Sequence, residues 1–215
     1  MDGLLIDSER HMWMVSMKKA SDEQGFPMSD EFHKSLMGLN REDTINALKN
    51  AYGPTFDADK YFKRVKELNH IIINEGVPLM KGAKELLDFL KENNIKTCIG
   101  TSTSKDEAHN ILVADNLIDY FDVVVCGDEI KNGKPAPDIY LKCFEKFNVD
   151  SSEALIFEDA NPGALAALKT GIRLVLVPDL AFLSDDVKNK AYKVLNDLSE
   201  IIDTIRIENE RTTGI

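Results

Sequence analysis

The 215-residue chain carries a formal net charge of −11, because 37 Asp and Glu outnumber 26 Lys and Arg. Nucleic acids and anionic membranes need clustered Lys and Arg, so we expect neither as a partner. A hydrophobic share of 43% and a charged share of 29% are typical of a globular protein with enough apolar material for a core. The length fits one large domain, or one domain with a smaller one attached.

The cysteines and the apolar runs indicate in which cellular compartment the protein is found. The three cysteines are widely spaced without a Cys-x-x-Cys pattern, and the four histidines are scattered, which argues against a zinc site. We expect buried, reduced thiols. We also expect no signal peptide, and no apolar run approaches the ~18–20 residues that cross a bilayer. We therefore predict a cytoplasmic protein, and we take it to be a monomer.

Residues 9–77 show helical signals and no convincing strand. Trp13, Met14 and Met17 are compatible with one apolar face of a helix that ends near residue 25. Asn40 can cap a helix that begins at Arg41, and a further apolar stripe predicts a helix over 57–74. Short helices in a row without strands indicate a small helical bundle.

The pattern changes after residue 78, where helices and strands alternate. Helices are predicted over 81–93, 105–116, 137–147 and 161–169, and strands over 95–100, 121–126, 154–157 and 174–177. A short strand near 194–195, a helix over 198–205 and a frayed tail after 208 complete the chain. The strands are β-branched without polar alternation, as in parallel strands buried on both faces. We predict a Rossmann-like, doubly wound parallel α/β core, formed by residues 1–8 and 78–215, with a helical cap inserted over 9–77.

Polar residues follow these strands, and in open α/β sheets functional groups gather at the carboxyl ends of strands. The first strand after the cap is followed by four hydroxyl residues, 101–104, at a helix start, where backbone N–H groups and hydroxyls suit a phosphate. A plain helix cap explains them about as well. The next strand leads to Lys134 between constrained residues, Gly-Lys-Pro-Ala-Pro-Asp. In isolation this lysine would be an ordinary solvated charge.

Glu158 and Asp159 follow a third predicted strand. Adjacent carboxylates at the end of a buried strand are costly without a compensating cation. Mg²⁺ takes oxygen ligands and keeps several waters, so it suits such a pair together with a phosphate. Favourable placement at the start of the next helix explains only part of this pattern.

These stretches, with Met1-Asp2-Gly3 at the start, resemble the four motifs of the haloacid dehalogenase superfamily of phosphatases and phosphomutases. The resemblance spans essentially the whole chain and is nearest to the β-phosphoglucomutase-like and phosphoglycolate phosphatase-like group. It implies that Asp2 is a general acid and base and offers its backbone carbonyl to Mg²⁺. It also implies that Ser102, with Thr103 beside it, binds phosphate, although a register slip to Thr101 stays open.

The remaining motifs imply further roles. Lys134 would offset the charge of the nucleophile and of the transferring phosphoryl group. Asp159 would be a direct metal ligand, and Glu158 would orient or join the metal shell. In the cap, Asn40 and Arg41 lie in a segment similar to one in which an arginine meets a substrate's distal phosphate. A solvated arginine at a helix start is the equal alternative.

The nucleophilic aspartate of that superfamily would stand immediately before Met1, outside this sequence. We therefore expect that Met1 is not the natural start and that the chain as written is inactive. The resemblance places that aspartate after a strand central to the sheet. A chain lacking the strand should leave a groove in its sheet, with unpaired backbone groups along two neighbouring strands.

The predicted function is a magnesium-dependent phosphohydrolase that acts on a small phosphorylated metabolite through an aspartyl-phosphate intermediate. A phosphomutase is the near alternative. The histidine that mutases usually carry on the first cap helix would fall on Met12, with His11 one residue early, which favours the phosphatase. Metal-independent dehalogenases of the same fold fit worse, because they lack the second aspartate that Asp2 provides. A non-catalytic protein that keeps the phosphate and metal pocket is the alternative from another class.

Overall fold

The computed structural model describes residues 1–36, 41–147 and 149–213, with the backbone alone for 210–213. Contacts group the chain into two units, Met1–Ile6 with Leu79–Ile215, and Asp7–Pro78. The sequence pattern had put residues 7, 8 and 78 in the first unit. Asp7 joins the helical unit because its N–H donates to the Pro78 carbonyl at 2.8 Å and its own carbonyl accepts from the His11 N–H at 3.2 Å.

The helical unit forms around one long amphipathic helix. A π-helical turn, Glu9–Met14, continues into α1 (Val15–Asp22), followed by α2 (Asp30–Leu36), α3 (Arg41–Tyr52) and α4 (Ala58–Glu75). Tyr61, Val65 and Leu68 on α4 recur at helical spacing and are buried in this unit's core. The Asp57 side chain caps α4 by accepting the Lys60 N–H at 3.0 Å. The helices predicted in this stretch are confirmed, and its described residues contain no strand.

The second unit alternates helices with short parallel strands. Its helices are α5 (Ala83–Glu92), α6 (Lys105–Ala114), α7 (Asp138–Glu145), α8 (Asn161–Leu168), α9 (Asp185–Lys190) and α10 (Ile202–Thr213). Its strands are β1 (Cys98–Gly100), β2 (Val123–Val125), β3 (Leu155–Glu158), β4 (Arg173–Leu176) and β5 (Lys193–Val194). The alternation predicted from the sequence is confirmed. The expectation of a frayed tail after 208 is wrong, because the last helix continues to Thr213.

The strands form two parallel sheets. One has the order β1–β2, and the other has the order β3–β4–β5. All pairs are parallel, with Ile99 opposite Val124 and Ile156 opposite Leu174. β1 and β2 are about half as long as the sequence pattern predicted, because β1 pairs along one edge only. A groove of about 510 Å³ lies between β1 and β3.

The amino terminus folds as a tight turn against the second unit. Asp2 bridges to Ile6, and Ile6 bridges to Leu79, while the Met80 N–H donates to the Leu5 carbonyl at 2.9 Å. Gly3 adopts a φ of +69°, which favours glycine because it has no Cβ. Ile6 is fully buried, so the turn is held in place by packing as well as by hydrogen bonds.

The remaining sequence expectations concern membranes and cysteines. Among the described residues, no helix is both long enough and apolar enough to cross a bilayer. The three cysteines are free thiols, with Cys126 and Cys143 buried and Cys98 partly so. Burial raises the pKa of the Cys126 thiol to about 11, which keeps it protonated and unreactive.

Candidate active site

The predicted site residues of the second unit lie on loops at the carboxyl ends of β1, β2 and β3, and on the amino-terminal turn. Parallel strands bring their carboxyl ends to the same edge of a sheet, so these loops can meet although they are distant in sequence. Three side-chain hydrogen bonds join them: Thr103 to Asp2, Lys134 to Glu158 and Tyr140 to Glu158.

The hydroxyl loop after β1 is fixed from within. Thr101 is buried, and its hydroxyl accepts the Thr103 N–H at 3.2 Å. The Thr103 hydroxyl donates to Asp2 Oδ2 at 2.8 Å, while Ser102 is exposed. A Cβ at Gly127 would overlap the Ser102 carbonyl oxygen, so only glycine lets the loop after β2 approach so closely. The loop therefore holds Thr103 toward Asp2 and leaves the Ser102 hydroxyl facing outward.

Lys134 connects the two sheets at this edge. Its Nζ donates to Glu158 Oε1 at 2.6 Å and to the Gly100 carbonyl at 3.2 Å, so one ammonium touches the ends of β3 and β1. The two side chains of the ion pair are only 13% and 7% exposed. Either charge alone would be costly in this buried position, so each side chain depends on its partner.

Glu158 is buried, and its carboxylate is in close contact with neighbouring residues. The Tyr140 hydroxyl donates a hydrogen bond to Glu158 Oε1, and burial together with the Glu158 charge raises the pKa of Tyr140 well above its usual value. A Cβ at Gly163 would overlap the Glu158 carboxylate. Gly163 is the glycine of the Glu-Asp-x-x-x-Gly stretch that resembles the fourth motif, whereas the sequence gave no role to Tyr140. The available signal was a tyrosine on the buried face of α7, since a buried tyrosine hydroxyl usually has a partner.

Asp159 differs from its neighbour, because the described residues show no ion pair between it and a lysine. Burial, and then the negative charge of Glu158, raise the pKa of Asp159 to about 7. The Lys134 ammonium acts in the opposite direction, but its effect is smaller. A Cβ at Gly3 would lie 2.5 Å from Asp159 Oδ2, so this carboxylate lies against the amino-terminal turn.

The carboxylates at this edge bear on whether the site can hold Mg²⁺. The part of the chain that the structure describes contains no cluster of three His, Cys, Asp or Glu side chains that could hold a metal. Mg²⁺ usually keeps several waters and takes only one or two carboxylates, so a full protein cage is not needed. Asp159 offers a partly buried carboxylate whose negative charge lacks a full counter-charge, and oxygen is the donor that Mg²⁺ prefers. The donor set therefore fits the ion.

Arg41, His11 and Met12, which the sequence analysis considered, belong to the helical unit. Arg41 begins α3, is exposed, and places its guanidinium 4.6 Å from the centre of the Phe62 ring. Asn40 lies outside the described residues. His11 Nδ1 lies 3.2 Å from Asp7 Oδ2, and Met12 is buried. The roles assigned to Asn40 and Arg41 stay predictions.

Residues 1–177 match the family described as haloacid dehalogenase-like hydrolase. The chain belongs to this family. This haloacid dehalogenase-like hydrolase is 34% identical over 175 residues to a "phosphorylated carbohydrates phosphatase" of Thermotoga maritima, covering 81% of each chain. It is 33% identical to a "probable pseudouridine-5'-phosphatase" of Drosophila melanogaster, covering 93% of this chain and 88% of the relative.

A solved structure has the same fold. The crystal structure of a "putative beta-phosphoglucomutase" from Thermotoga maritima superposes on the haloacid dehalogenase-like hydrolase with a TM-score of 0.81 at 30% identity, covering 96% of each chain. The predicted α/β class and the predicted superfamily are both confirmed by these matches.

Proposed function

We propose that the chain is a magnesium-dependent phosphohydrolase that acts on a small phosphorylated metabolite, such as a sugar phosphate. The observation that carries the proposal is the arrangement at one sheet edge of a hydroxyl loop, a buried lysine and two adjacent carboxylates. Relatives named as phosphatases of phosphorylated carbohydrates and of pseudouridine 5'-phosphate support the substrate class. A hexitol phosphatase of Escherichia coli, 27% identical, adds to this support.

Phosphate binding is assigned to Ser102, Thr103 and Lys134. Ser102 is exposed and lies three residues before α6, and the start of a helix attracts anions. Thr101 is turned inward and bonded, which favours Ser102 over Thr101 as the ligand. Lys134 carries its charge at the junction of the two sheets and would offset the charge of a phosphoryl group placed there.

Mg²⁺ would be held by the Asp159 carboxylate and the Asp2 backbone carbonyl, with Glu158 orienting them from its bonds to Lys134 and Tyr140. Bound there, the ion would neutralise negative charge on the phosphoryl oxygens. The Asp2 side chain would serve as general acid and base, because the Thr103 hydroxyl fixes one of its oxygens and leaves the other available. An aspartate preceding Met1 would accept the phosphoryl group, and water would then release it.

The test compares the 215-residue chain with the same chain extended upstream through its reading frame to include a strand that ends in Asp. Phosphate release from sugar phosphates, nucleotides and phosphoglycolate is measured with and without Mg²⁺. We expect magnesium-dependent turnover only in the extended protein, and we expect it to disappear when the added Asp is changed to Asn. Full activity in the 215-residue chain would contradict the proposed nucleophile.

Arg41, with Asn40, is proposed to select the substrate. In the extended protein, Arg41→Ala should raise KM, or shift the preference among substrates, by about tenfold, the cost of one lost phosphate contact. Magnesium dependence should not change. Lys49→Ala, which removes a positive charge from the exposed surface of the same helix, is the matched control. An unchanged substrate profile would leave Arg41 as the surface residue that its contact with Phe62 describes.

A phosphomutase is the second candidate, favoured by the 30% identity to the structure named as a putative β-phosphoglucomutase. Incubation of the extended protein with a hexose 1-phosphate separates the two, because a mutase gives the 6-phosphate and a phosphatase gives free sugar. Phosphate binding without turnover would indicate a non-catalytic protein. The cytoplasmic location, the monomeric state and the cap role of residues 9–77 stay predictions.

A further inference from the structure

Among the described residues of the second unit, three tyrosines make the same two contacts with an ion pair. Each places its ring against the cation and donates its hydroxyl to the carboxylate. The three groups are Lys134–Glu158–Tyr140, Lys84–Asp88–Tyr120 and Arg173–Glu208–Tyr192. The first group contains two residues of the candidate site, so its tyrosine can influence the chemistry there.

Burial distinguishes the group at the site from the group on α5. The side chains of Lys134 and Glu158 are only 13% and 7% exposed, and Tyr140 is buried with them. The side chains of Lys84 and Asp88 are 53% and 42% exposed. Water screens an exposed ion pair, whereas a hydrogen bond or an aromatic ring has more effect on a charge that water does not reach. The tyrosine should therefore matter far more to the buried pair.

Tyr140 contacts both members of the buried pair with different parts of its side chain. Its hydroxyl donates to Glu158 Oε1, the same oxygen that accepts the hydrogen bond from Lys134 Nζ at 2.6 Å. Its ring lies under the ammonium, with Lys134 Nζ 5.1 Å from the ring centre. This distance is within the ~6 Å over which an aromatic ring attracts a cation. One residue thus restrains both the acceptor and the donor of the ion pair.

A lysine needs such restraint because its charge lies at the end of a flexible stem of four carbons. An ammonium has three N–H donors. The contacts of Lys134 direct two of them, one to Glu158 Oε1 and one to the Gly100 carbonyl. Because the nitrogen is tetrahedral, fixing two donors also fixes the direction of the third. That third donor can meet a phosphoryl oxygen placed at the carboxyl ends of β1 and β3.

We propose that Tyr140 is a positioning residue, which holds the Lys134 ammonium so that its third N–H faces the phosphoryl group during transfer. The proposal rests on the phosphatase function proposed above. A charge that is already fixed in place stabilises the transition state without reorganising, so the benefit should appear in the transfer step. The Tyr140 hydroxyl acts only as a donor, because burial and the Glu158 charge raise the pKa of Tyr140 and keep it protonated.

Tyr140→Phe tests this role, because it keeps the ring in the core and removes only the hydroxyl. In the extended protein, kcat should fall about 10-fold, the effect of one lost hydrogen bond to a charged group. KM should stay within about twofold, because Ser102 and Thr103 still bind the phosphate. Tyr120→Phe is the matched control. It removes the same hydroxyl from the exposed group, where kcat and KM should not change.

A second measurement needs no turnover. NMR of the 215-residue protein with ¹⁵N-labelled lysine detects ammonium groups whose protons exchange slowly with water. We expect such a signal from Lys134, because its ammonium is buried and bonded, and the loss of the signal in Lys134→Met assigns it. In Tyr140→Phe these protons should exchange about 10-fold faster, because the ammonium is held less firmly. In Tyr120→Phe their exchange should not change.

Three outcomes would overturn the proposal. If Tyr140→Phe keeps both its kcat and the slow exchange at Lys134, Tyr140 is only a packing residue of α7. A higher KM at constant kcat would mean that the hydroxyl acts on binding and not on transfer. A lower kcat with unchanged exchange would mean that Tyr140 acts through a group other than Lys134. An extended wild type without turnover would contradict the proposed function instead, and the exchange rates would still decide whether Tyr140 positions Lys134.

Discussion

The two small sheets of the α/β unit end in opposite chemistry. The β1–β2 sheet leads into a loop of hydroxyls at the start of a helix, which suits an anion. The β3–β4–β5 sheet leads into Glu158 and Asp159, which suit a cation. Each sheet alone would carry half of a site. The comparison teaches that the site depends on what joins the sheets.

Two contacts make that junction. Lys134 touches the Gly100 carbonyl on one sheet and Glu158 on the other, and Thr103 reaches Asp2 on the amino-terminal turn. The two sheets share no backbone hydrogen bonds in the described residues. These side chains therefore connect parts of the unit that paired strands usually connect. Changes at the junction should therefore affect stability more than comparable changes elsewhere.

The largest effect is expected from Lys134→Met. It leaves the Glu158 carboxylate buried without its cation, and removing one partner of a buried pair costs about 3–5 kcal/mol. Denaturant unfolding measures this as a loss of free energy of unfolding. The double variant Lys134→Met with Glu158→Gln should recover much of the loss, because no unpaired charge remains.

Lys96→Met is the matched control for Lys134. Lys96 pairs with Asp122 at 2.7 Å, but it is 66% exposed, so its loss should cost less than about 1 kcal/mol. Equal losses from Lys96→Met and Lys134→Met would show that burial does not distinguish the two pairs. That result would contradict the expectation that the buried junction contributes more to stability than an exposed ion pair.

Gly163→Ala should give the next largest effect. Alanine favours a helix over glycine by ~1 kcal/mol, but its Cβ would overlap the Glu158 carboxylate and force that buried group to move. Overpacking of this kind costs ~1–3 kcal/mol, so the variant should be less stable on balance. Thermal and denaturant unfolding both report the change.

Gly133→Ala provides the comparison for Gly163. A Cβ at Gly133 meets nothing within 4 Å, so this variant should be neutral or slightly stabilised. If Gly163→Ala were equally neutral, the Glu158 carboxylate would have room to shift, and its enclosure would not be a constraint.

The smallest effect concerns an ion pair away from the junction. Asp197 is buried, accepts the Ser199 N–H at 3.0 Å and pairs with Lys81, which is 85% exposed. The bond to Lys81 comes first among the causes that lower the pKa of Asp197 from its usual 3.8 to about 2. Asp197→Asn should therefore cost about 1 kcal/mol at pH 7, since solvent screens the pair.

The pH dependence of this cost has a definite sign. The folded pKa lies below the unfolded one, so the extra stability of the wild type is complete above about pH 4 and disappears as the pH falls toward 2. Denaturant unfolding of both proteins from pH 2 to pH 7 measures it. Asp203→Asn, at a carboxylate that is 85% exposed, is the control and should show no such trend.

The sequence predicted most elements because local patterns determine them. The stripe of α4, its cap at Asp57 and its end at Gly76 follow from spacing and from residue type alone. The sequence predicted the lengths of the strands less well, because a strand extends only as far as a neighbouring strand pairs with it. The ends of β1 and β2 depend on such pairing and came out shorter than their apolar runs.

The sequence by itself determined which residues would stand at the strand ends, because motif spacing fixes their positions along the chain. Only the tertiary structure decided that Glu158 belongs to Lys134 and Tyr140, which are 24 and 18 residues away, while Thr103 reaches Asp2 across 101 residues. It also decided that burial leaves Asp159 with a raised pKa, and that a groove separates β1 from β3. The physical reason is that burial and pairing depend on distances in space, which residue type and spacing along the chain do not contain.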